Sequence, residues 1–404
     1  MTKITDIPAI RFKGFSDTWE QRKFSELVQI ERGGSPRPID DFITDAPNGL
    51  NWVKIGDAPT QGNYITKTAE KIRPEGLPKT REVHPGDLIL SNSMSFGKPY
   101  IMGIDGCIHD GWLLIRNTYG VFDLTFLCHL LGTPQMLSQY RSLAAGSTVN
   151  NLNKELVGNI YVTIPSITEQ RVLGAYLEQL DNLITLHQRK YDKLTNVKKS
   201  MLEKMFPQNG SNVPEIRFKG FTEAWEQRKL GEIGSVSMCR RIFKEQTSEN
   251  GEIPFYKIGT FGGEADAFIS RELFEEYKAK YQYPKKGDIL ISASGSIGRT
   301  VVFTGKNEYF QDSNIVWLNH DKHLDNSFLK CFYSIVKWAG IEGSTIKRLY
   351  NDNILNTAIT LPSVEEQQKI GAYFENLDNL ITLHQRELEK LKNLKKACLE
   401  KMFV

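Results

Sequence analysis

PSITEQRVLGAYLEQLDNLITLHQRKYDKLTNVKKSMLEKMF, Pro165 to Phe206, returns as PSVEEQQKIGAYFENLDNLITLHQRELEKLKNLKKACLEKMF, Pro362 to Phe403, with 28 of 42 positions identical. Within each copy the inward positions alternate spacings of four and three. Leu173, Leu177, Leu180, Ile184, His187, Tyr191, Leu194, Lys198, Met201 and Met205 form one series; Ile370, Phe374, Leu377, Ile381, His384, Leu388, Leu391, Lys395, Cys398 and Met402 form the other. Eight of the ten positions are apolar in each series, the mark of a heptad seam. A helix over 168–206 is about 58 Å long at 1.5 Å per residue, too long to lie on a small domain, so the two helices are expected to pack along each other. Pro207 and the polar linker 207–213 stop the first. About 150 residues then intervene before the second begins, which favours an antiparallel return with one domain at each end and a pseudo-two-fold relation between the halves. His187 and His384 occupy equivalent seam positions, and with Lys198 and Lys395 they read as polar residues that fix register. A paired imidazole switch or metal site is the alternative for the histidines.

Outward from the helices, a second patch repeats. PAIRFKGFSDTWEQRKFSEL from Pro8 matches PEIRFKGFTEAWEQRKLGEI from Pro214 at 13 of 20 positions. The first patch repeats at an offset of 197 and this one at 206, so the nine-residue difference is absorbed between them, where similarity fades. Faint echoes survive there: Trp52-Val-Lys-Ile-Gly56 with Phe255-Tyr-Lys-Ile-Gly259, Gly86-Asp-Leu-Ile-Leu-Ser91 with Gly287-Asp-Ile-Leu-Ile-Ser292, and Gly146-Ser-Thr148 with Gly343-Ser-Thr345. A repeat this long is a duplicated module rather than a solenoid. The expected organisation is α+β: a first mixed domain over 1–164 with its lead-in at 8–27, a long helix over 165–206, the linker 207–213, a second mixed domain over 214–361 with its lead-in at 214–233, and a second long helix over 362–404. Short β runs after turn signals, at Leu88–Leu90 and Ile289–Ile291, support the mixed reading.

Composition sets bounds on function. The chain is 40% hydrophobic and 25% charged, and no apolar run approaches the roughly 18 residues of a membrane span. The start MTKITDIPAIRF has no apolar signal-peptide core, and five cysteines (Cys107, Cys128, Cys239, Cys331, Cys398) form no C-x-x-C pair, so reduced thiols and a cytoplasmic location are expected. A net charge of +3 means that any nucleic-acid surface must be a local basic patch.

Catalytic motifs are missing. The pairs Gly97-Lys98 and Gly305-Lys306 are followed by Pro99 and Asn307, which rules out a P-loop. No Pro-Pro occurs, so the Asn/Asp-Pro-Pro-aromatic loop that holds a flipped adenine is absent, as is Gly-x-Ser-x-Gly. His320-x-x-His323 lacks a partner motif and a counterpart in the first half. No catalytic residue and no metal site is assigned.

Binding candidates lie in the inserts. Ser91-Asn-Ser-Met-Ser-Phe-Gly-Lys98 and Ser292-Ala-Ser-Gly-Ser-Ile-Gly-Arg299 place hydroxyls and glycines before a cation, a composition suited to close approach to phosphates and equally to an ordinary surface hairpin. The contact set is Lys54, Ser91, Ser93, Lys98 and Arg116 in the first insert, and Lys257, Ser292, Ser294, Ser296, Arg299, Lys347 and Arg348 in the second, with Arg141, Arg240 and Arg241 as further cations.

The arrangement as a whole resembles the specificity subunit of type I restriction-modification systems. Trp19-Glu-Gln-Arg-Lys23 and Trp225-Glu-Gln-Arg-Lys229, Gly86-Asp-Leu-Ile-Leu90 and Gly287-Asp-Ile-Leu-Ile291, and Ile164-Pro-Ser166 and Leu361-Pro-Ser363 before Glu169-Gln170 and Glu366-Gln367 carry the likeness, which covers essentially the full length. The resemblance implies a non-catalytic subunit in which each domain reads one half of a split double-stranded DNA target. The helices, with Leu177, Ile184, His187, Leu194, Phe374, Ile381, His384 and Leu391 in their seam, set the unread spacer and dock two methyltransferase subunits. Restriction and translocation subunits complete the assembly, and S-adenosylmethionine, ATP and Mg2+ belong to those partners. Different inserts imply an asymmetric target. A coiled-coil scaffold, a DNA-binding module outside restriction-modification and a stand-alone methyltransferase or nuclease are the competing readings.

Overall fold

The computed structural model describes residues 7–92, 96–144, 151–208, 210–339 and 348–404. Both long repeats are helices, Ile167–Lys204 and Val364–Lys401, of 38 residues each. No helix among the described residues is long and apolar enough to cross a membrane. The chain divides into two compact units, Met1–Lys190 with His384–Val404, and Tyr191–Leu383. Each unit thus holds one domain, the N-terminal half of that domain's own long helix, and the C-terminal end of the other. The boundaries read along the chain keep each helix whole, whereas packing divides each helix between the units.

In the first unit, Glu20–Lys23 pairs antiparallel with Tyr161–Ile164, the strand that leads into the long helix. A five-stranded sheet follows the order Gln29–Arg32, Trp112–Arg116, Leu88–Ser91, Pro99–Met102, Tyr64–Ile65. Its side chains alternate between two cores, as period two requires. Leu88, Leu90, Ile101, Leu113 and Ile115 face the helical side, while Ile89, Tyr100, Met102, Trp112 and Leu114 face a second core. A four-stranded sheet, Glu70–Ile72, Leu50–Val53, Gly106–Ile108, Arg81–Val83, completes the domain.

The second unit repeats the plan with fewer strands. Glu226–Lys229 pairs with Ala358–Leu361, and a four-stranded sheet runs Gly234–Ser237, Ile315–His320, Ile289–Ser292, Thr300–Val302. Ile289, Ile291, Val316 and Leu318 face one core and Leu290, Ile315 and Trp317 the other. Phe268–Ile269, Ile253–Tyr256 and Tyr309–Phe310 form the smaller sheet. All five cysteines are buried and free. Burial pushes the thiols of Cys128, Cys239 and Cys331 up to about 12 and that of Cys107 up to about 11, which keeps them inert.

The repeated patches meet at the start of each long helix. Arg11 grips the buried Glu169 with two bonds of 2.6 and 2.7 Å, and Arg217 grips Glu366 with two of 2.7 Å. Hydrogen bonding to that carboxylate raises each guanidinium's pKa. Gln170 accepts from Asp123 N–H and donates to the carbonyls of Val121 and Pro165, and Gln367 does the same with Asp325, His323 and Pro362. Asp123 and Asp325 in turn cap the helices Leu124–Leu131 and Asn326–Tyr333. A Cβ at Gly174 meets Thr125 Oγ1 at 2.4 Å, and one at Gly371 meets Ser327 Oγ at 1.8 Å, so glycine is what lets the capped helix approach this closely.

Within each unit the two helix segments run antiparallel. In the first, Tyr176 faces Cys398, Asp181 faces Lys395 at 2.5 Å, and His187 faces His384 at 3.1 Å between Nδ1 atoms. In the second, Lys198 faces Asp378 at 2.5 Å, which is the Asp181–Lys395 contact with the copies exchanged. The seam lysines therefore fix register by ion pairing. His187 and His384 meet edge to face, with ring centroids 5.1 Å apart. Of the seam residues, Leu177, Ile184 and Phe374 are buried, while Leu194, Ile381 and Leu391 are half-buried, as expected where only two helices cover each other. The far end of each helix closes the other domain's core: Phe403 stacks on Phe126 at 5.5 Å, and Phe206 stacks on Phe328 at 5.2 Å.

Candidate nucleic-acid interface

In both domains a lysine follows the strand that pairs parallel in the smaller sheet. Lys54 ends Leu50–Val53, has its N–H held by Asp57 and is ion-paired to Glu70. Lys257 follows Ile253–Tyr256 and pairs with Asp266 at 2.9 Å. In each domain an arginine from the loop after the first insert strand also reaches a carboxylate: Arg37 lies 3.7 Å from Asp110, and Arg241 lies 3.0 Å from Asp312. Arg37 is 82% exposed and Arg241 61%, so neither is held by burial.

The first domain builds these groups into an open groove of about 1090 Å³ lined by Ser35, Arg37, Trp52, Lys54, Glu70 and His109. Asp110 organises one wall, accepting from Ser35 Oγ at 3.2 Å and lying 2.9 Å from His109 Nε2. Lys98 is half-buried, with its ammonium 4.9 Å from the Tyr100 ring centre. Arg141 is exposed on the helix Pro134–Ala144, whose Tyr140 and Leu137 pack against Gly97.

The second domain gathers more cations. Arg299 is exposed, donates to Ile258 O at 3.1 Å and lies over the Phe261 ring. Ser294 donates to Asn314 Oδ1 at 2.8 Å and forms a backbone bridge with Arg348. Arg348 donates to Ser313 O at 3.1 Å, beside Asp312 and hence Arg241. Arg240 lies over the Tyr281 ring in an adjoining hollow of about 480 Å³. Ser294 and Arg348 are thus linked toward Arg241 through Asn314, Ser313 and Asp312, Arg299 stands by Lys257 through the Ile258 carbonyl, and Ser296 is exposed in the hairpin loop.

Several expectations need correction. Ser91 and Ser292 are fully buried: each hydroxyl accepts the N–H of the cation seven residues on, Lys98 or Arg299, at 2.9 Å, so they pin the hairpin from inside and are withdrawn from the surface. Arg116 sits at the other end of its strand from the hairpin loop, opposite Gln29, tied to Glu31 at 3.5 Å, Asp87 at 3.7 Å and the Glu82 carbonyl. Ser93 and Lys347, like the glycine-serine-threonine echoes at 146–148 and 343–345, lie outside the described residues. His320 Nε2 faces Asn326 and His323 pairs with Asp321, both protein contacts. Sequence reasoning missed Arg37, His109 and Asp110, for which the signal was positional: the same place in the duplicated plan as Arg241 and Asp312. It also missed the Arg11–Glu169 clamp, although both residues stand in the repeated patches.

The family model for the type I restriction modification DNA specificity domain matches residues 16–196 and again 222–393. A putative type I restriction enzyme specificity subunit of Haemophilus influenzae is 60% identical over 158 residues, 38% of this chain and 41% of that protein, so the chain spans less than half of that relative. A type I restriction enzyme specificity subunit of Methanocaldococcus jannaschii is 22% identical over 94% of both chains. Among solved structures, the S subunit of a type I restriction-modification system from M. genitalium superposes with a TM-score of 0.66 over 98% of this chain and 99% of that one, at 15% identity, a likeness of fold.

Proposed function

The chain belongs to the type I restriction modification DNA specificity domain family, and from that membership we propose that it is the DNA-reading subunit of a restriction-modification complex whose two domains each recognise one half of a bipartite target. One observation carries the reading. The two domains keep a common core of strands, a lysine–carboxylate pair and an arginine–aspartate pair, yet surround them with different side chains. A duplicated scaffold with diverged exposed loops suits two readers of different sequence and gives a plain scaffold no advantage.

Arg37, Lys54 and His109 in the first domain, and Arg241, Lys257, Arg299 and Arg348 in the second, supply phosphate and guanine-edge donors. Asp110, Asp312 and Asn314 supply base-edge acceptors and an amide. The carboxylates that pair these cations in the free protein are exchanged for phosphates on binding, so affinity falls steeply with salt. The subunit itself carries out no chemistry; S-adenosylmethionine, ATP and Mg2+ are held by its partners.

The helices set the unread spacer and offer the docking surface. The decapeptide Leu180–Arg189 is identical to Leu377–Arg386, and Leu183, Leu186, Leu380 and Leu383 are 43, 46, 44 and 52% exposed within it. Equivalent exposed leucines in identical sequence suit two copies of one partner, the methyltransferase subunit, with restriction and translocation subunits joining that core.

Co-expression with a methyltransferase subunit in a methylation-free host, followed by mapping of modified bases, tests this. A split, asymmetric motif that needs both proteins is expected, and exchange of 41–160 for another family member's insert is expected to change one half only. A stable complex that modifies nothing, or a change in both halves, overturns the two-reader assignment.

A further inference from the structure

Among the described residues, the larger sheet of the first domain carries an edge strand that the second domain's lacks. In the first unit, Tyr64–Ile65 pairs parallel to Pro99–Met102, with Ile101 N–H donating to Asn63 O at 2.7 Å and Gly103 N–H to Ile65 O at 2.8 Å. The Tyr64 hydroxyl donates to Glu178 at 2.8 Å, and the Asn63 amide to Asp181 at 2.9 Å, which fastens the segment to the long helix.

In the second unit the corresponding strand, Thr300–Val302, is the last of its sheet. Bonds to its inner neighbour fall on alternate residues, with Phe303 N–H on Asp288 O at 2.8 Å, so Val302 N–H points outward. It pairs with no backbone carbonyl among the described residues, and Val302 is 39% exposed. The cause is a shorter loop. Lys54 and Glu70 are 16 residues apart, whereas Lys257 and its equivalent partner Asp266 are nine apart, so the covering segment has no counterpart. Beside the bare strand lies a pocket of about 300 Å³ whose walls include Leu202, Ile289, Val302 and Phe374, with Glu375, the equivalent of Glu178, exposed at its rim.

We propose that Thr300–Val302 is a docking edge for an extended segment of the methyltransferase subunit, which runs parallel to the strand, fills the pocket with apolar side chains and sets a hydroxyl-bearing aromatic against Glu375. The chain's own Asn63-Tyr64-Ile65 shows the chemistry that fits: outward amides taken by an added strand, and a tyrosine hydroxyl on the helix glutamate. A second copy of this chain is a poor occupant, because its Tyr64–Ile65 is already spent in its own first domain. The inference rests on the partner reading above and adds an asymmetry to it. The identical helix decapeptides receive two equal subunits, but only one of the two finds an open edge.

Site-resolved hydrogen exchange on the full chain, alone and in purified complex with the methyltransferase subunit, tests this. Exchange at the Val302 amide is expected to slow about tenfold or more in the complex, with Ile101 unchanged. In parallel, grafting residues 57–69 in place of 260–265 supplies a covering strand in cis. The folded graft is expected to hold one of the two methyltransferase subunits about tenfold more weakly, by titration in native mass spectrometry. If the complex forms but Val302 exchanges as before, or the folded graft binds both subunits as tightly as the parent chain, the docking edge is overturned while the specificity-subunit reading stands. If no complex forms with any methyltransferase subunit, the partner reading fails and takes this inference with it.

Discussion

The first domain draws its candidate contacts into a groove, and the second spreads them over a loop face. In the first, Arg37, Lys54 and His109 converge beside Asp110, and the neighbouring sheet edge is sealed by Tyr64–Ile65. In the second, Arg241 and Arg348 stand by Asp312 and Ser313, Arg299 reaches the Ile258 carbonyl, and no strand covers the sheet edge among the described residues. Beneath these differences the frame is the same nearly atom for atom: arginine on glutamate, glutamine on a cap, glycine against a hydroxyl. Side chains that must hold the helix are constrained by buried geometry. Those that face solvent are free to change, and the division between the two classes separates assembly from recognition.

The largest effect is expected from breaking the frame equally on both sides. Glu169→Ala strands Arg11 and Glu366→Ala strands Arg217 in a largely buried site, and each is expected to destabilise its own unit by about 3–5 kcal/mol. Denaturant unfolding followed separately in the two units checks this; unequal losses would mean the frames are not equivalent. The recognition loops are expected to respond unequally. Arg299→Ala and Arg348→Ala should each weaken DNA binding by about 1–3 kcal/mol and lower its salt dependence, whereas Arg116→Ala, tied among carboxylates, should change neither. An Arg116 variant that binds as poorly as the Arg299 variant would reverse the placement.

A smaller and pH-dependent contrast concerns Asp181. Burial pushes its carboxyl up, but hydrogen bonds and charge from His129 and Lys395 outweigh that and hold it below the usual carboxylate range. A depressed folded pKa contributes stability that is present above the unfolded value and lost as pH falls through the folded one. The first unit is therefore expected to lose this contribution below about pH 4, the usual aspartate value. Melting of the parent and of Asp181→Asn across that range tests it, and an equal acid slope in both would remove Asp181 from the account.

Duplication made the frame legible: the helix seam follows from two aligned copies, because heptad spacing and identical residues survive without any knowledge of contacts, and the antiparallel direction follows from the length of chain between the helices. The site was legible only in part. Of the cations named from the sequence, Lys54 lines the groove of the first domain, Arg299 reaches the carbonyl beside Lys257, and Arg348 reaches the carbonyl beside Asp312. Ser91 and Ser292 have the composition of a phosphate loop but spend their hydroxyls on the backbone of their own hairpin, a distinction set by burial that local composition does not encode. Arg116 failed for a related reason, since strand direction decides which end of the sheet it occupies. Arg37 and His109 escaped notice because long-range bonds, Gly33 N–H on Trp112 O and Gly34 N–H on Ile108 O, bring their loops together.

One hydrogen bond occurs twice. Ile216 N–H reaches the carbonyl of Lys204 at 2.9 Å, where the linker joins the first helix to the second lead-in, and Ile10 N–H reaches the carbonyl of Lys401 at 2.9 Å, where no peptide runs between them. The Ile10 junction makes without a linker the same bond that 207–213 spans at Ile216, so packing rather than the peptide linker makes the joint. Cleavage within 207–213 is therefore expected to leave the Ile216–Lys204 bond and the packing of the second unit in place.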